Sequence, residues 1–368
     1  MNSPAFTVRP LTKEDLAPVA GLFQRTFRDG TAASPALETA LRQTFIDHPF
    51  ADPDLPSHVF VNEAGKVSGF IGVNPARMTI GGREIRAAFA GSMMVERPKE
   101  NPLAGARLIR AFLSGPQDVS ISETANATAL GMWRKLGHDL IPAYSMNWLR
   151  VFRPGSTGID ILNRVHPAAR LLKPFGALAD RIARMGGGAS FGLETSSGKG
   201  PAFQDVGEEE LAEALMALAP AFPLAPIWNR PSLGWLLAQA REKSQFGPIV
   251  RRVAYGSDGA PVAAHVYYGR PGGIAWVLQS LARPERMEAM VDDMLQHAAD
   301  AGCAAIRGAG QPWLTPFLLR KKALFLGRSF VVAQTKDPDI RETIDSGKAL
   351  ITGLAGETWS PLIGERFS

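Results

Sequence analysis

The stretch Thr124–Gly137, reading TANATALGMWRKLG, constrains this chain more than any other, because it follows directly on the short apolar strand candidate Asp118–Ser122. Asn126 can cap a helix, since an Asn side-chain oxygen accepts a backbone N–H of the first turn. Leu130, Trp133 and Leu136 then recur at helical spacing, and Gly137 stands where a left-handed residue would end the helix. The stretch predicts a strand, an asparagine leaving it, and a short amphipathic helix.

The order Asn126, Ala129, Trp133, Gly137 resembles the second signature of the GNAT superfamily of acyl-CoA-dependent N-acyltransferases, in which an Asn leaves the fifth strand and an Ala, an aromatic residue and a Gly follow. The preceding residues fit the same family in order. Phe6–Arg9 reads as a strand, Thr12 and Asp15 as a capping-box-like start for a helix to about Phe27, and Pro35–Ile46 as a second helix. His58–Val61 and Val67–Val73 flank the turn Glu63–Lys66, and Gly81–Gly82 turns Ala76–Ile80 into a long strand, Ile85–Val95. A loop with Pro98 and Pro102 leads into the helix Leu103–Leu113. The opening FTVRPLTKEDL is also similar to that of the family, and the resemblance covers about residues 6–153.

At 368 residues the chain is long for one core, and two domains are expected. Residues 154–200 read as a helical, Gly-rich linker, with an apolar and basic periodicity over Ile161–Met185 interrupted by Pro167 and Pro174. A basic amphipathic helix can lie on an anionic membrane; the expectation here is packing across the two domains. From Gln204 the punctuation of the first unit returns. Helices at Glu208–Leu218 and Ser232–Glu242 precede strands at Ile249–Tyr255, Val262–Tyr268 and Ile274–Leu281, then a helix from Pro284 to His297 and a strand at Cys303–Arg307. Gly65 and Gly259, Gly82 and Gly273, and Pro98 and Pro284 are each separated by about 190 residues, which suggests a structural repeat. The second unit lacks the Asn–helix–Gly signature and resembles the degenerate lobe of tandem GNAT proteins, N-myristoyltransferases and Fem-type peptidyl transferases.

The expected fold class is therefore α/β (α+β): tandem GNAT-like lobes, each a mixed, mostly antiparallel sheet flanked by helices. The expected boundaries are 1–153 for the first lobe, 154–200 for the linker, 201–335 for the second lobe and 336–368 for an irregular tail containing Trp359.

What the resemblance implies about chemistry can be placed residue by residue. In the family the acyl thioester lies between the fourth and fifth strands and a substrate amine attacks it directly. The backbone of Met93, Met94 and Val95 would hold the pantetheine arm and Asn126 would contact it. The family's Q/R-x-x-G-x-G/A cradle for the CoA pyrophosphate is incomplete: one register gives Asn101, Ala104 and Ala106, the other Glu100, Leu103 and Gly105. Gly105, Ala106 and Arg107 at the helix start are the candidates for phosphate contact, since free N–H groups at a helix N-terminus bind anions. Glu123 and Glu96, at the ends of the two strands, are the base candidates. The family's acid, a Tyr, is replaced by Trp133, whose indole cannot supply a proton. Tyr144 is then the nearest acid candidate; otherwise water protonates the thiolate or the lobe is not catalytic.

A net charge of +5 suits an anionic cosubstrate such as acetyl-CoA or another acyl-CoA, and equally a solvated basic surface. The single Cys303, in an apolar stretch, gives no intramolecular disulfide and no metal set, so no metal is expected. No apolar run reaches membrane-span length and Met1–Pro10 has no signal-peptide core, which gives an expectation of a cytoplasmic protein. No HExxH, GxSxG, P-loop or CxxC is present, and aromatics do not interleave with a basic run as in DNA- or RNA-binding modules. The functions in view are an N-acetyltransferase or other acyl-CoA N-acyltransferase acting on a small-molecule or peptide amine, a non-catalytic tandem that binds a ligand, and a Fem-like aminoacyl or peptidyl transferase. The sequence leaves the acyl length, the acceptor and the oligomeric state open.

Overall fold

The structure, a computed structural model, describes residues 6–28, 32–165, 172, 175–176, 178–181, 202–327, 329–364 and 367. The first half runs β1 (Thr7–Pro10), α1 (Leu16–Phe27), α2 (Pro35–Phe45), β2 (His58–Val61), β3 (Val67–Ile80), β4 (Arg83–Val95), α3 (Ala104–Leu113), β5 (Val119–Ala125), α4 (Ala127–Lys135) and β6 (Asn147–Val151). After α5 (Pro154–Val165) come β7 (Phe203–Asp205), α6 (Glu208–Leu218), β8 (Leu224–Pro226), α7 (Arg230–Arg241), β9 (Ile249–Tyr255), β10 (Pro261–Tyr268), β11 (Ile274–Ala282), α8 (Met287–Asp300), β12 (Ala305–Gly308), α9 (Thr315–Arg320), β13 (Leu324–Leu326), β14 (Phe330–Thr335) and α10 (Pro338–Asp345).

The local expectations rest on chemistry that the structure displays. The Thr12 backbone N–H donates to the Asp15 carboxylate at 2.9 Å, while Arg9 pairs with the same group, so the start of α1 is fixed from both sides. Gly65 and Gly259, the paired turn glycines, both adopt positive φ, 73° and 75°, in the β2–β3 and β9–β10 hairpins. For the next pair the left-handed residues are Gly82 and Gly272, not Gly273. The strands Val67–Val73 and Ala76–Ile80 are one strand, β3, running through Pro75. Proline is tolerated there because β3 pairs β2 only up to Ile71 and β8 only from Met78, so no ladder bond is missing on the open side.

Each half builds a mixed, mostly antiparallel sheet. The first sheet has the order β1-β2-β3-β4-β5-β14 with β8 on β3; the second has β13-β6-β12-β11-β10-β9-β7. The parallel pairs are β4–β5 and β11–β12, joined across α3 and α8. Sheet membership does not follow the expected boundaries at 153 and 335. β6, from the first half, lies antiparallel between β12 and β13 of the second sheet, and β14, from the second half, lies antiparallel beside β5 of the first. Each half thus hands its last sheet strand to the other.

The tail read as irregular contains α10, and Ala349–Leu362 is buried throughout. The linker helix starts at Pro154, ahead of the expected periodicity, and much of 161–185 lies outside the described residues. Among the described residues, no helix is long and apolar enough to cross a membrane.

Candidate functional site

β4 and β5 pair only at Ala87–Val119, Ala88–Ser120 and Phe89–Ile121, and then part. Beyond that point β4 carries a bulge. Its register against β3 goes from Phe70–Met94 to Gly72–Gly91, leaving Ser92 and Met93 opposite Ile71, with Ser92 at φ 51°. A bulge bends the strand, so the opening between β4 and β5 is built into the backbone. A cavity of about 230 Å³ occupies it, lined by Gly91, Ser92 and Met93 on one side, Thr124 and Asn126 on the other, and Phe27 of α1 across the top.

Asn126 is exposed on this cavity and caps α4, its Oδ1 accepting from Ala129 N at 2.9 Å. Of the other residues expected to hold a cosubstrate, Met93 lines the cavity, Met94 is buried beneath α1 and α2, and Val95 packs under α3. Gly105 is buried in the first turn of α3, where an added Cβ would stand 2.6 Å from Met132 Sδ of α4. Ala106 is half-buried beside it, and the Arg107 guanidinium sits 5.5 Å from the Phe6 ring. Leu103 precedes the helix without a side-chain cap, leaving the N–H groups of Gly105 and Ala106 at an uncapped helix start.

The acid and base expectations need correction. Tyr144 is buried and its hydroxyl is committed to one backbone position: it donates to Ala349 O at 2.7 Å and accepts from Ala349 N at 2.8 Å. Burial pushes the phenol far above its ordinary range, so Tyr144 is a tie between segments rather than an acid. Glu96 pairs with Arg25 at 3.0 Å on the surface and does not line the cavity. Glu123 is buried and its carboxylate accepts the N–H groups of Gly353, Glu357 and Thr358. It anchors the segment 353–358, so it is not available to an incoming amine. The sequence reading had the residue but not its partner, because nothing near Glu123 in the chain announces a strand-end carboxylate capped from 230 residues away.

That same segment brings in a carboxylate that sequence reasoning missed. Glu357 is 2% exposed, and its Oε2 accepts from Glu123 N at 2.9 Å and Thr124 Oγ1 at 3.4 Å. A Cβ on Gly91 would stand 1.9 Å from its Oε1, so any side chain at that position of β4 would displace the carboxylate. Glu357 therefore bridges β4 and β5 where they diverge. A second cavity, of about 430 Å³, lies on the far side, between the first sheet and the second half. Gly356 and Trp359 line it, whereas Leu362 and Ile363 line the first cavity, so the tail segment reaches both cavities, while Glu357 itself is buried and lines neither.

Burial raises both carboxyls, Glu123 to about 7 and Glu357 to about 8, the latter also through the like charge of Glu123. Three backbone N–H groups and the buried Lys243, whose Nζ donates to Thr358 O at 2.6 Å, hold Glu123 down against that burial. Both groups bind protons more tightly folded than unfolded, so their contribution to stability is complete below the unfolded carboxyl range and is lost as pH rises through 7 and 8. The buried histidines, lowered by desolvation, act below about pH 6.5. Between pH 6.5 and 8.5 the unfolding free energy should therefore fall by about 2 kcal/mol. Urea titrations at the two pH values check this; a stability that rises over this window contradicts it.

The second half repeats the arrangement and closes it. β11 and β12 pair at three positions and part after Trp276–Arg307, and β11 bulges at Leu278 against β10. Here the segment 352–354 fills the opening. Leu354 N donates to Gln279 Oε1 at 2.9 Å, Thr352 Oγ1 to Gly310 O at 3.3 Å, and a Cβ on Gly353 would stand 2.2 Å from Leu278 O. Trp313 adds an indole N–H to Ser280 O at 3.3 Å.

No family model matches the chain, and no curated protein matches it. Solved structures do. A conserved protein of Enterococcus faecalis V583, described as a probable N-acyltransferase, shares 10% identity at TM-score 0.57, over 90% of this chain and 72% of that one. A GCN5-related N-acetyltransferase from Anabaena variabilis shares 11% identity at TM-score 0.58, over 91% and 74%. N-myristoyltransferase of Saccharomyces cerevisiae, with bound myristoyl-CoA, shares 13% identity at TM-score 0.50, over 89% and 78%. At this identity the likeness is one of fold: the mixed α/β architecture of these N-acyltransferase structures.

Proposed function

We propose that the protein is an acyl-CoA-dependent N-acyltransferase whose first lobe takes the acyl-CoA, with the thioester in the opening between β4 and β5. The observation that carries this reading is the opening where β4 and β5 part at the Ser92–Met93 bulge, occupied by a cavity of about 230 Å³, with the Glu357 carboxylate buried beside its lining residues Gly91 and Thr124. Direct transfer needs such an arrangement, because the acyl donor and the amine must meet beside a group that can accept a proton.

In this reading the amine nitrogen attacks the thioester carbonyl carbon, backbone N–H groups at the Ser92–Met93 bulge face the developing oxyanion, and the carbon–sulfur bond breaks to release CoA thiolate. The proton of the attacking nitrogen passes to Glu357. A carboxylate raised to about 8 is suited to that role, since a base works best with its pKa near the working pH. The start of α3, with Gly105, Ala106 and Arg107, receives the phosphates. The second lobe is not the donor site in this reading, because the segment 352–354 already fills its opening.

Calorimetric titration with acetyl-CoA and longer acyl-CoAs tests the reading; no binding by any thioester overturns it, and binding without thiol release across an amine panel makes the protein a ligand-binding tandem. Asn126 sharpens the test. Asn126→Ala removes both the cap on α4 and the amide facing the cavity, and should weaken acyl-CoA binding by ~1 kcal/mol or more. Asn126→Asp keeps a capping oxygen but loses the amide donor, so its stability should stay near that of the unmodified protein while affinity falls. Undiminished affinity in both variants places the donor elsewhere.

A further inference from the structure

The larger cavity lies between the two lobes, where the open side of β3 around Pro75 faces the start of α7. Its volume, about 430 Å³, lies within the range of ~300–1,000 Å³ typical of small-molecule sites. Its walls are aromatic: Phe89 of β4 and Phe50 from one half, Trp228 from the other, and Trp359 from the tail segment. Phe50 and Trp359 are braced through Trp235, at ring separations of 5.7 and 5.0 Å.

The charges on the wall cancel. Asp52 accepts from Arg86 at 2.6 Å, and Arg77, on the rim, pairs with Glu84. Among the described residues lining the cavity, Asp52 is the only carboxylate, and Arg86 already neutralises it. Asn229 spends its Oδ1 capping α7, so its amide N–H groups and the Asn74 amide are neutral polar groups left to face an occupant. Such a wall attracts a flat apolar body and a single ammonium resting on ring faces, and it offers a second or third positive charge no counter-ion.

We infer that this cavity is the acceptor site and that it selects monoamines with a flat apolar or aromatic body over oligoamines; the inference rests on the acyltransferase reading for its chemistry but not for its binding. Gly356 of this lining immediately precedes Glu357, whose buried side chain is turned away from this cavity toward Gly91 and Thr124 of the smaller one, so an amine held here lies one residue along the chain from that carboxylate.

The test uses the full chain, acetyl-CoA, and three amines: phenethylamine, butylamine and spermidine. Thiol release should be at least 10-fold more efficient, as kcat/KM, with phenethylamine than with spermidine. Ala76→Trp, which fills the cavity, and Trp228→Ala, which removes a wall, should each raise the KM for phenethylamine at least 10-fold while leaving calorimetric acetyl-CoA affinity unchanged. A spermidine preference, or an unchanged phenethylamine KM in both folded variants, overturns the inference and leaves the acyltransferase reading standing. Calorimetric binding of phenethylamine alone, abolished in Ala76→Trp, supports the site even without turnover; no binding of phenethylamine to the unmodified protein in the presence or absence of CoA overturns it. Failure of every acyl-CoA to bind is the separate result that removes the acyltransferase reading.

Discussion

Replacing Glu357 by glutamine is expected to lower kcat by 10²- to 10⁴-fold, roughly the usual contribution of a positioned proton acceptor, with little change in acyl-CoA affinity. Glutamine keeps an oxygen for the Glu123 N–H and the Thr124 hydroxyl, so the segment 353–358 stays in place while the basic group is lost. The pH dependence separates this from a merely structural effect. In the unmodified protein Glu357 carries a proton below about pH 8, so the rate should rise with pH through that value and level off above it. The variant should lose that limb. A kcat within about threefold of the original, with the same pH profile, would remove Glu357 from the chemistry without touching the fold assignment.

Glu123→Ala should be the most destabilising single polar substitution, by ~3 kcal/mol or more. The carboxylate accepts three backbone N–H groups inside the protein, and alanine leaves all of them buried without a partner. Glu123→Gln retains one acceptor oxygen and should cost less. The midpoint of urea unfolding measures both, and a loss below about 1 kcal/mol for the alanine variant would show that the segment 353–358 is held by its apolar contacts instead.

These two carboxylates also mark where sequence reading succeeds and where it stops. Asn126 as cap, Gly137 as helix stop and the hairpin at Gly65 were legible because each is decided within a few residues, by a side chain or a φ angle that the local chemistry demands. The repeat was legible for the same reason, since turns recur where hairpins recur. Val67–Val73 and Ala76–Ile80, expected as separate strands, run on through Pro75 because its missing N–H matters only if a neighbouring strand needs it, and which neighbour lies there is a property of the sheet. β6 and β14 gave no local sign of their partners, which are separated from them by about 150 to 200 residues, and hairpin rules do not reach that far. The run Ala349–Leu362 read as irregular because its order comes from what it touches. Gly353 and Gly356 are small because Leu278 O and the Glu123 carboxylate come close, and neither contact has a signature in the segment itself. Hence the site was legible on its strand-and-helix side and illegible on the side built by the tail.

The exchange of β6 and β14 bears on how such a chain could change over generations. A second lobe whose own opening is filled would ordinarily be free to decay or be deleted. Here a deletion of the second half would strip β8 and β14 from the first sheet, together with the segment that caps Glu123 and delivers Glu357. Selection on the first opening therefore preserves the second lobe whatever that lobe binds, and the two can diverge in sequence but cannot be inherited apart.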